Sequence, residues 1–328
     1  MLAIRMHHYG TPDVLVPEDL PIPEPGPGEA LVRVSVSGVN FSDTLMRQDR
    51  YALSPGLPAI LGCEVVGRVV QAPPGSPWRA GQRVAVPMFA AHRMLGGYAE
   101  YVCADAASLV AVPDGLDDAV ACALQVQGLS AMALARHVPV RGQRVLVSAA
   151  AGGVGSLLVQ LLRRAGAAQV IAAASSEGKR SFARELGADA DVDYTAAGWT
   201  ERLRALTAGT GPDVVFESAG GAITGQCLAT LAAGGTMVVY GALNIQAFSL
   251  GVAELQQMIF MNQALKGFAL VPLLTPRQLR ADLEALFDLA LNGGLRVHIG
   301  AQLPLARAGE AHALLENRSS RGKVVLKA

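Results

Sequence analysis

The chain has 328 residues, 51% of them hydrophobic and 16% charged, and its 27 Lys and Arg balance 27 Asp and Glu. A length beyond what one core usually serves argues for two domains, and the composition excludes a disordered chain. Zero net charge offers no general attraction for nucleic acid or an anionic membrane, so the expected ligand is a small molecule. The opening Met1-Leu2-Ala3-Ile4-Arg5-Met6 reads directly as a strand, with neither an export signal nor a transit segment before it. No apolar run approaches about 18 uninterrupted residues, which speaks against a membrane span. Cys63, Cys103, Cys122 and Cys227 are scattered with no CxxC pair, as expected of reduced, buried thiols in a cytoplasmic protein.

From the N-terminus, Pro21, Pro23, Pro25 and Pro27 punctuate the chain before short strand-like runs at 30–36, 65–70 and 82–86, so the first third is expected to be mostly β. A Pro-free stretch at 117–137, opened by Asp117 and Asp118, reads as a helix. An alternation then begins: strand 144–149, helix 153–165, strand 169–174, helix 177–186, strand 213–217, helix 222–232 and strand 236–241. Nearly continuous apolar strands separated by helices are the pattern of a doubly wound parallel sheet covered on both faces. A further strand is expected at 268–271, then a helix over 276–292, and strand-like runs at 297–299 and 323–326.

The segment Ala150-Ala151-Gly152-Gly153-Val154-Gly155 lies where the first strand of this alternation turns into its helix. A dinucleotide site needs a tight bend there, a backbone bare enough to meet a pyrophosphate, and a helix start packed on the strand. Ala150 stands in place of the first glycine, while Gly152 and Gly155 fill the second and third positions. At the end of the second strand an Asp or Glu would grip the 2′-hydroxyl of NAD. This chain offers Ser175, Ser176 and Lys179 instead, groups that would bind a 2′-phosphate, so NADPH is the expected cofactor. Ser218 and the turn Gly241-Ala242-Leu243 follow later strands, at the ends where ligands sit on open α/β sheets.

Several segments together resemble the medium-chain dehydrogenases/reductases, and within them the NADPH:quinone oxidoreductases and related enoyl reductases. They are Gly38-Val39-Asn40-Phe41-Ser42-Asp43, Leu61-Gly62-Cys63-Glu64-Val65-Val66-Gly67, Ala80-Gly81-Gln82-Arg83-Val84, Gly97-Tyr98-Ala99-Glu100-Tyr101 and the glycine turn, in the family's order along nearly the whole chain. The resemblance implies a GroES-like β-rich catalytic domain over 1–122, a Rossmann NADPH-binding domain over 123–266, and a segment over 267–328 that returns to the first domain. It also implies a homodimer formed through the nucleotide domain; the apolar stretch 247–264 would serve that contact or line the substrate pocket.

Many members of this family bind zinc, and they carry Cys where this chain has Asn40, His where it has Cys63, and a further Cys near 125–127, where it has no sulfur. A catalytic zinc needs three protein ligands and an open position, so no metal is expected. Without a Lewis acid, a quinone or an activated, α,β-unsaturated C=C is a better acceptor than a ketone. The resemblance assigns Asn40, Asp43 and Tyr51 to the reacting centre, Asn40 and Asp43 as orienting groups and Tyr51 as a hydrogen-bond or proton donor to the oxyanion. It places Ser130 by the nicotinamide ribose and Tyr194 by the adenine and 2′-phosphate, with Phe268 and Leu270 offering backbone groups to the carboxamide. Lys323 would approach the cofactor from the returning tail, and Gln127 replaces a Lys of some quinone reductases. The rival readings are an enoyl-thioester reductase and an NADPH-binding structural or regulatory protein without efficient catalysis.

Overall fold

A computed structural model describes residues 1–91, 93–241 and 247–328. The chain divides into two compact units, Met1–Leu129 together with Val271–Ala328, and Ser130–Leu270. The divisions thus fall after Leu129 and Leu270, a little beyond the sequence-expected positions at 122 and 266.

The first unit begins with β1 (Leu2–Met6), β2 (Val16–Asp19) and the long β3 (Glu29–Val39), which runs into the short helix α1 (Phe41–Arg47). It continues with β4 (Ala59–Ile60), β5 (Glu64–Gln71), β6 (Arg83–Pro87), β7 (Tyr101–Asp105) and β8 (Val110–Ala111). Hydrophobic side chains alternating along β3 and β5 face a core of Val32, Val65, Val69, Val84, Val102 and Leu109, closed by Trp78. Asp117 caps the next helix, α2 (Asp118–Ala123), by accepting from the Ala119 and Val120 N–H groups at 2.8 and 3.2 Å. A π-turn over Leu124–Gly128 joins it to α3 (Leu129–His137), which carries the chain into the second unit. The run Asp118–His137 is long and apolar enough to cross a membrane by length and composition, but 67% of its most apolar window is buried in the protein, as in a core helix.

The second unit alternates β9 (Arg144–Val147), α4 (Gly153–Arg164), β10 (Gln169–Ala174), α5 (Glu177–Glu185), β11 (Ala190–Asp193), α6 (Trp199–Leu206), β12 (Val214–Glu217), α7 (Ala222–Thr230), β13 (Thr236–Val239), α8 (Val252–Met261) and β14 (Ala264–Gly267). Its six strands are parallel, in the order β11-β10-β9-β12-β13-β14, the order of a doubly wound sheet that reverses beside its first strand. The last strand is a correction: it lies at Ala264–Gly267, not at 268–271, because that register pairs Thr236 with Ala264 and Val239 with Gly267.

The chain then re-enters the first unit through α9 (Pro276–Leu291), β15 (Ile299–Pro304), α10 (Ala308–Glu316) and β16 (Lys323–Lys327). β16 pairs antiparallel with the far end of β3, Val324 opposite Val39, which places the C-terminal tail beside the start of α1. The main sheet of this unit is therefore seven-stranded, in the order β15-β16-β3-β5-β6-β8 with β7 on β3. α10 was not foreseen, and the strand expected at 297–299 begins at Ile299.

Candidate active site

Within the second unit the strand tips converge on the glycine turn. Gly152 is the N-cap of α4 and provides no side-chain cap, so the helix's first N–H groups are left for a ligand. The tight bend falls on Ala149, at φ +48°, one residue before the position that the glycine pattern marks. A Cβ at Gly155 would stand 2.5 Å from the Ala149 carbonyl oxygen, so only glycine lets α4 pack this closely on β9. These features fit a dinucleotide: a bare, uncapped helix start directed to the carboxyl ends of a parallel sheet.

At the tip of β10, Ser176 is the N-cap of α5, yet its hydroxyl makes no capping bond; Ser175 and Lys179 are half-buried beside it. Arg180 is held by Glu177, Asp191 and Asp193. Tyr194 is folded into the hydrophobic core with Ile171, Val192 and Trp199. Ser218 is buried after β12; its N–H donates to Ser148 Oγ at 2.8 Å, and a Cβ at Gly241 would strike its side chain at 2.6 Å. Glu217, wholly buried beside it, accepts from the Ala219 and Gly220 N–H groups and from Thr224, and so fixes that loop. The Phe268 N–H donates to the Val239 carbonyl, while its ring meets His137 edge to face at 5.4 Å. Leu270 is half-buried and Ser130 buried; Ala242 and Leu243 lie outside the described residues.

The first unit gathers a second constellation around α1. Asn40, at the end of β3, is locked on three sides: its Nδ2 donates to Glu64 Oε1 at 2.7 Å, its Oδ1 accepts from Lys323 Nζ at 2.8 Å, and its backbone N–H donates to Asp43 Oδ2 at 2.8 Å. Lys323 also forms an ion pair with Glu64, and both are sealed from solvent. Glu64 Oε2 accepts from the Val126 N–H at 2.7 Å, so the carboxylate is fully partnered. The Lys323 ammonium therefore steadies Asn40 and Glu64 within this unit.

Cys63 is buried 4.0 Å from Asn40 Nδ2, and its burial pushes the thiol well above its usual range. A neutral thiol, an amide whose oxygen already receives an ammonium, and that ammonium itself make a poor donor set for a dication. Among the described residues, no group of three or more His, Cys, Asp or Glu is placed to hold a metal ion. Tyr51 is half-buried in the loop after α1; burial, then the neighbouring Cys63 and Asp43, raises its phenol above the normal value.

Two further groups have no counterpart in the sequence-derived set. The Tyr98 hydroxyl donates to Asp43 Oδ2 at 2.9 Å and lies 3.1 Å from His312 Nε2. Gly62, at φ +90°, makes room for the Tyr98 ring, which a Cβ there would meet at 2.5 Å. His312, on α10, is reached only because that helix packs on α1; a lone histidine 269 residues from Asp43 carries no spacing signal.

Known proteins resemble this chain in both of its units. Residues 26–114 match the alcohol dehydrogenase GroES-like domain family, and residues 153–291 match the zinc-binding dehydrogenase family. A quinone oxidoreductase of Pseudomonas aeruginosa is 34% identical over 330 residues, covering 98% of each chain. A 2-haloacrylate reductase of Burkholderia sp is 31% identical over 337 residues, covering 99% of this chain and 98% of the relative. The crystal structure of Escherichia coli quinone oxidoreductase complexed with NADPH superposes with a TM-score of 0.92 at 28% identity over the whole of both chains. The chain belongs to the medium-chain dehydrogenase/reductase superfamily, in its quinone oxidoreductase-like branch.

Proposed function

We propose that this protein is a zinc-independent, NADPH-dependent reductase that delivers hydride to a quinone or to an activated, α,β-unsaturated C=C. The observation that carries the reading is the bare, uncapped start of α4, in a chain whose full-length relatives include quinone and haloacrylate reductases. When bound, NADPH supplies the hydride, and the protein's part is orientation and electrostatics. The N–H groups of Gly153 and Val154 receive the pyrophosphate, while the Gly152 N–H, which donates to the Ala149 carbonyl at 2.9 Å, holds the turn, and the buried Ala151 precedes it. Ser175, Ser176 and Lys179 receive the 2′-phosphate, where a carboxylate would repel it. Ser130, Ser218, Gly241, Phe268 and Leu270 form the remaining rim of the dinucleotide site.

In the first unit Asn40, immobilised by Glu64 and Lys323, presents a fixed polar edge, and Tyr51 donates a hydrogen bond or a proton to the oxyanion left by hydride addition. The Lys323 charge stands where a metal-dependent relative would require ligands, which supports acceptors that are already electrophilic. Steady-state oxidation of NADPH with 1,4-benzoquinones and with α,β-unsaturated ketones tests the reading. The expected result is turnover of at least one class with a strong preference for NADPH over NADH; NADPH binding with turnover of neither class would overturn it. Replacing Ser175 with Asp should reverse the cofactor preference by about 10-fold or more, through the loss of phosphate contacts and the gain of repulsion.

A further inference from the structure

The parallel sheet of the second unit opens its crevice between β9 and β12, where the strand order reverses. The last backbone rung there is the Ser148 N–H, which donates to the Phe216 carbonyl at 2.9 Å. In a continued parallel ladder the Ser218 N–H would next take the Ser148 carbonyl. The chain instead swings away at Ala149, φ +48°, into the glycine turn, and the Ser218 N–H takes the Ser148 hydroxyl oxygen at 2.8 Å. A side chain thus stands in for the backbone where the two strands part. The Ser148 hydroxyl passes its own hydrogen to Glu217 Oε1 over a longer 3.4 Å.

Glu217 is wholly buried at the end of β12, and donors meet both of its carboxylate oxygens. Oε1 also accepts from the Ala219 and Gly220 N–H groups at 2.6 and 3.0 Å, and Oε2 accepts from the Thr224 hydroxyl at 2.9 Å. Its carbonyl accepts from the Tyr240 N–H at 2.9 Å, which ties the same residue to the end of β13. Gly220 and Gly221, at φ +76° and +63°, let the loop fold back over the carboxylate. Successive N–H groups turned on one point make an anion seat, and here the protein's own carboxylate fills it. The N–H groups of Ser218, Ala219 and Gly220 are therefore all engaged within the unit, whereas the first N–H groups of α4 are left for a ligand. The phosphates then belong to α4 and the adenosine half to the tip of β10. The part of the dinucleotide left to lie over β12 and β13 is the uncharged one, the reduced nicotinamide and its ribose.

We propose that Glu217 and Ser148 are positioning residues for the nicotinamide half of NADPH: together they fix the 218–221 loop against the glycine turn and so set the width of the crevice. The inference rests on the NADPH reading above.

Calorimetric titration with NADPH and with adenosine 2′,5′-bisphosphate, which lacks the nicotinamide half, tests the proposal. Glu217→Ala and Ser148→Ala should each weaken NADPH by about 10-fold, the scale of one or two lost buried hydrogen bonds. Affinity for the bisphosphate should stay within about twofold, as for a site that shares no partner with the altered one. The fluorescence of bound NADPH, which reports the surroundings of the nicotinamide ring, should fall toward that of the free nucleotide. Glu217→Gln keeps an oxygen for Ala219, Gly220 and Ser148 and can donate to Thr224, so it should bring NADPH affinity back to within about threefold of the wild type. Should Glu217→Ala fail to fold, Ser148→Ala and Thr224→Val carry the test, each with the same split between the two ligands. The proposal is overturned if both ligands weaken in parallel, if neither weakens, or if Glu217→Gln binds NADPH no better than Glu217→Ala. A wild type that binds the bisphosphate and NADPH equally well would also overturn it, since no nicotinamide contact would then exist to be positioned. A wild type that binds NADPH but reduces no acceptor would end the reductase reading and leave this inference to stand on the binding data.

Discussion

The buried charges around Asn40 can be altered only as a set. Glu64 is satisfied by Lys323, Asn40 and the Val126 N–H, so replacing Lys323 with Met would leave a carboxylate sealed from water without a counter-charge. A loss of about 3–5 kcal/mol is expected in urea unfolding, with much of it recovered in the double variant Lys323→Met/Glu64→Gln; equal losses in the single and double variants would exclude coupling. Asp43 and His312 make opposite contributions to the pH dependence of stability. With its carboxyl raised to about 7, folded Asp43 keeps a proton that the unfolded chain releases near 4, so its contribution falls as pH rises from about 4 to 7. With its imidazole held at about 3, folded His312 refuses a proton that the unfolded chain takes up near 6.5, so its contribution falls as pH drops from about 6.5 to 3. Chemical denaturation at pH 4.5 and 7 should therefore show His312→Gln losing less stability on acidification than the wild type, and Asp43→Asn losing less on alkalinisation. Parallel pH dependence in all three proteins would contradict the assignment.

Among the elements, α4 offers the cleanest separation of folding from ligand binding. Gly152 has an ordinary extended conformation, φ −75° and ψ 177°, and aspartate is among the best N-cap residues at such a site. Gly152→Asp should therefore leave thermal stability within about 1 kcal/mol while abolishing NADPH binding, measured by nucleotide fluorescence, because the carboxylate would occupy the space and field intended for the phosphates. Retained affinity would remove the pyrophosphate from this turn. The glycine turn was legible because β9, β10, β12 and β13 are short apolar runs whose side chains are buried on both faces, a pattern that survives in one dimension. β14 was not: its Ala264-Leu265-Lys266-Gly267 is a partly exposed edge, and only pairing with β13 distinguishes it from the equally apolar residues that follow. α10 was hidden by Gly309 near its start and His312 at its middle, which weaken a helical reading until packing on α1 supplies the missing stabilisation. The Asn40, Asp43 and Tyr51 assignments came from resemblance; the Lys323–Glu64 pair and the Tyr98–His312 chain depend on residues more than 200 positions apart and leave no local pattern.

For the whole molecule, the open question is what covers the second unit. Its sheet ends at β14, whose outer edge has no strand beside it among the described residues, and a bare edge invites pairing with another chain. The neighbouring α8 exposes Val252 and Ile259 at 73% and Phe260 at 82%, although a solitary protein normally turns such residues inward. A second copy of this chain is the proposed occupant, because edge pairing about a two-fold axis would continue the sheet and cover both helices at once. The double variant Ile259→Lys/Phe260→Glu places charge on that face without touching the glycine turn or the Asp43 cluster. It should sediment as a monomer at micromolar concentration, where the wild type sediments as a dimer, while binding NADPH with unchanged affinity. A variant that still dimerises but shows a raised acceptor KM would instead assign these side chains to the substrate pocket. A wild type that is already monomeric would remove the dimer altogether.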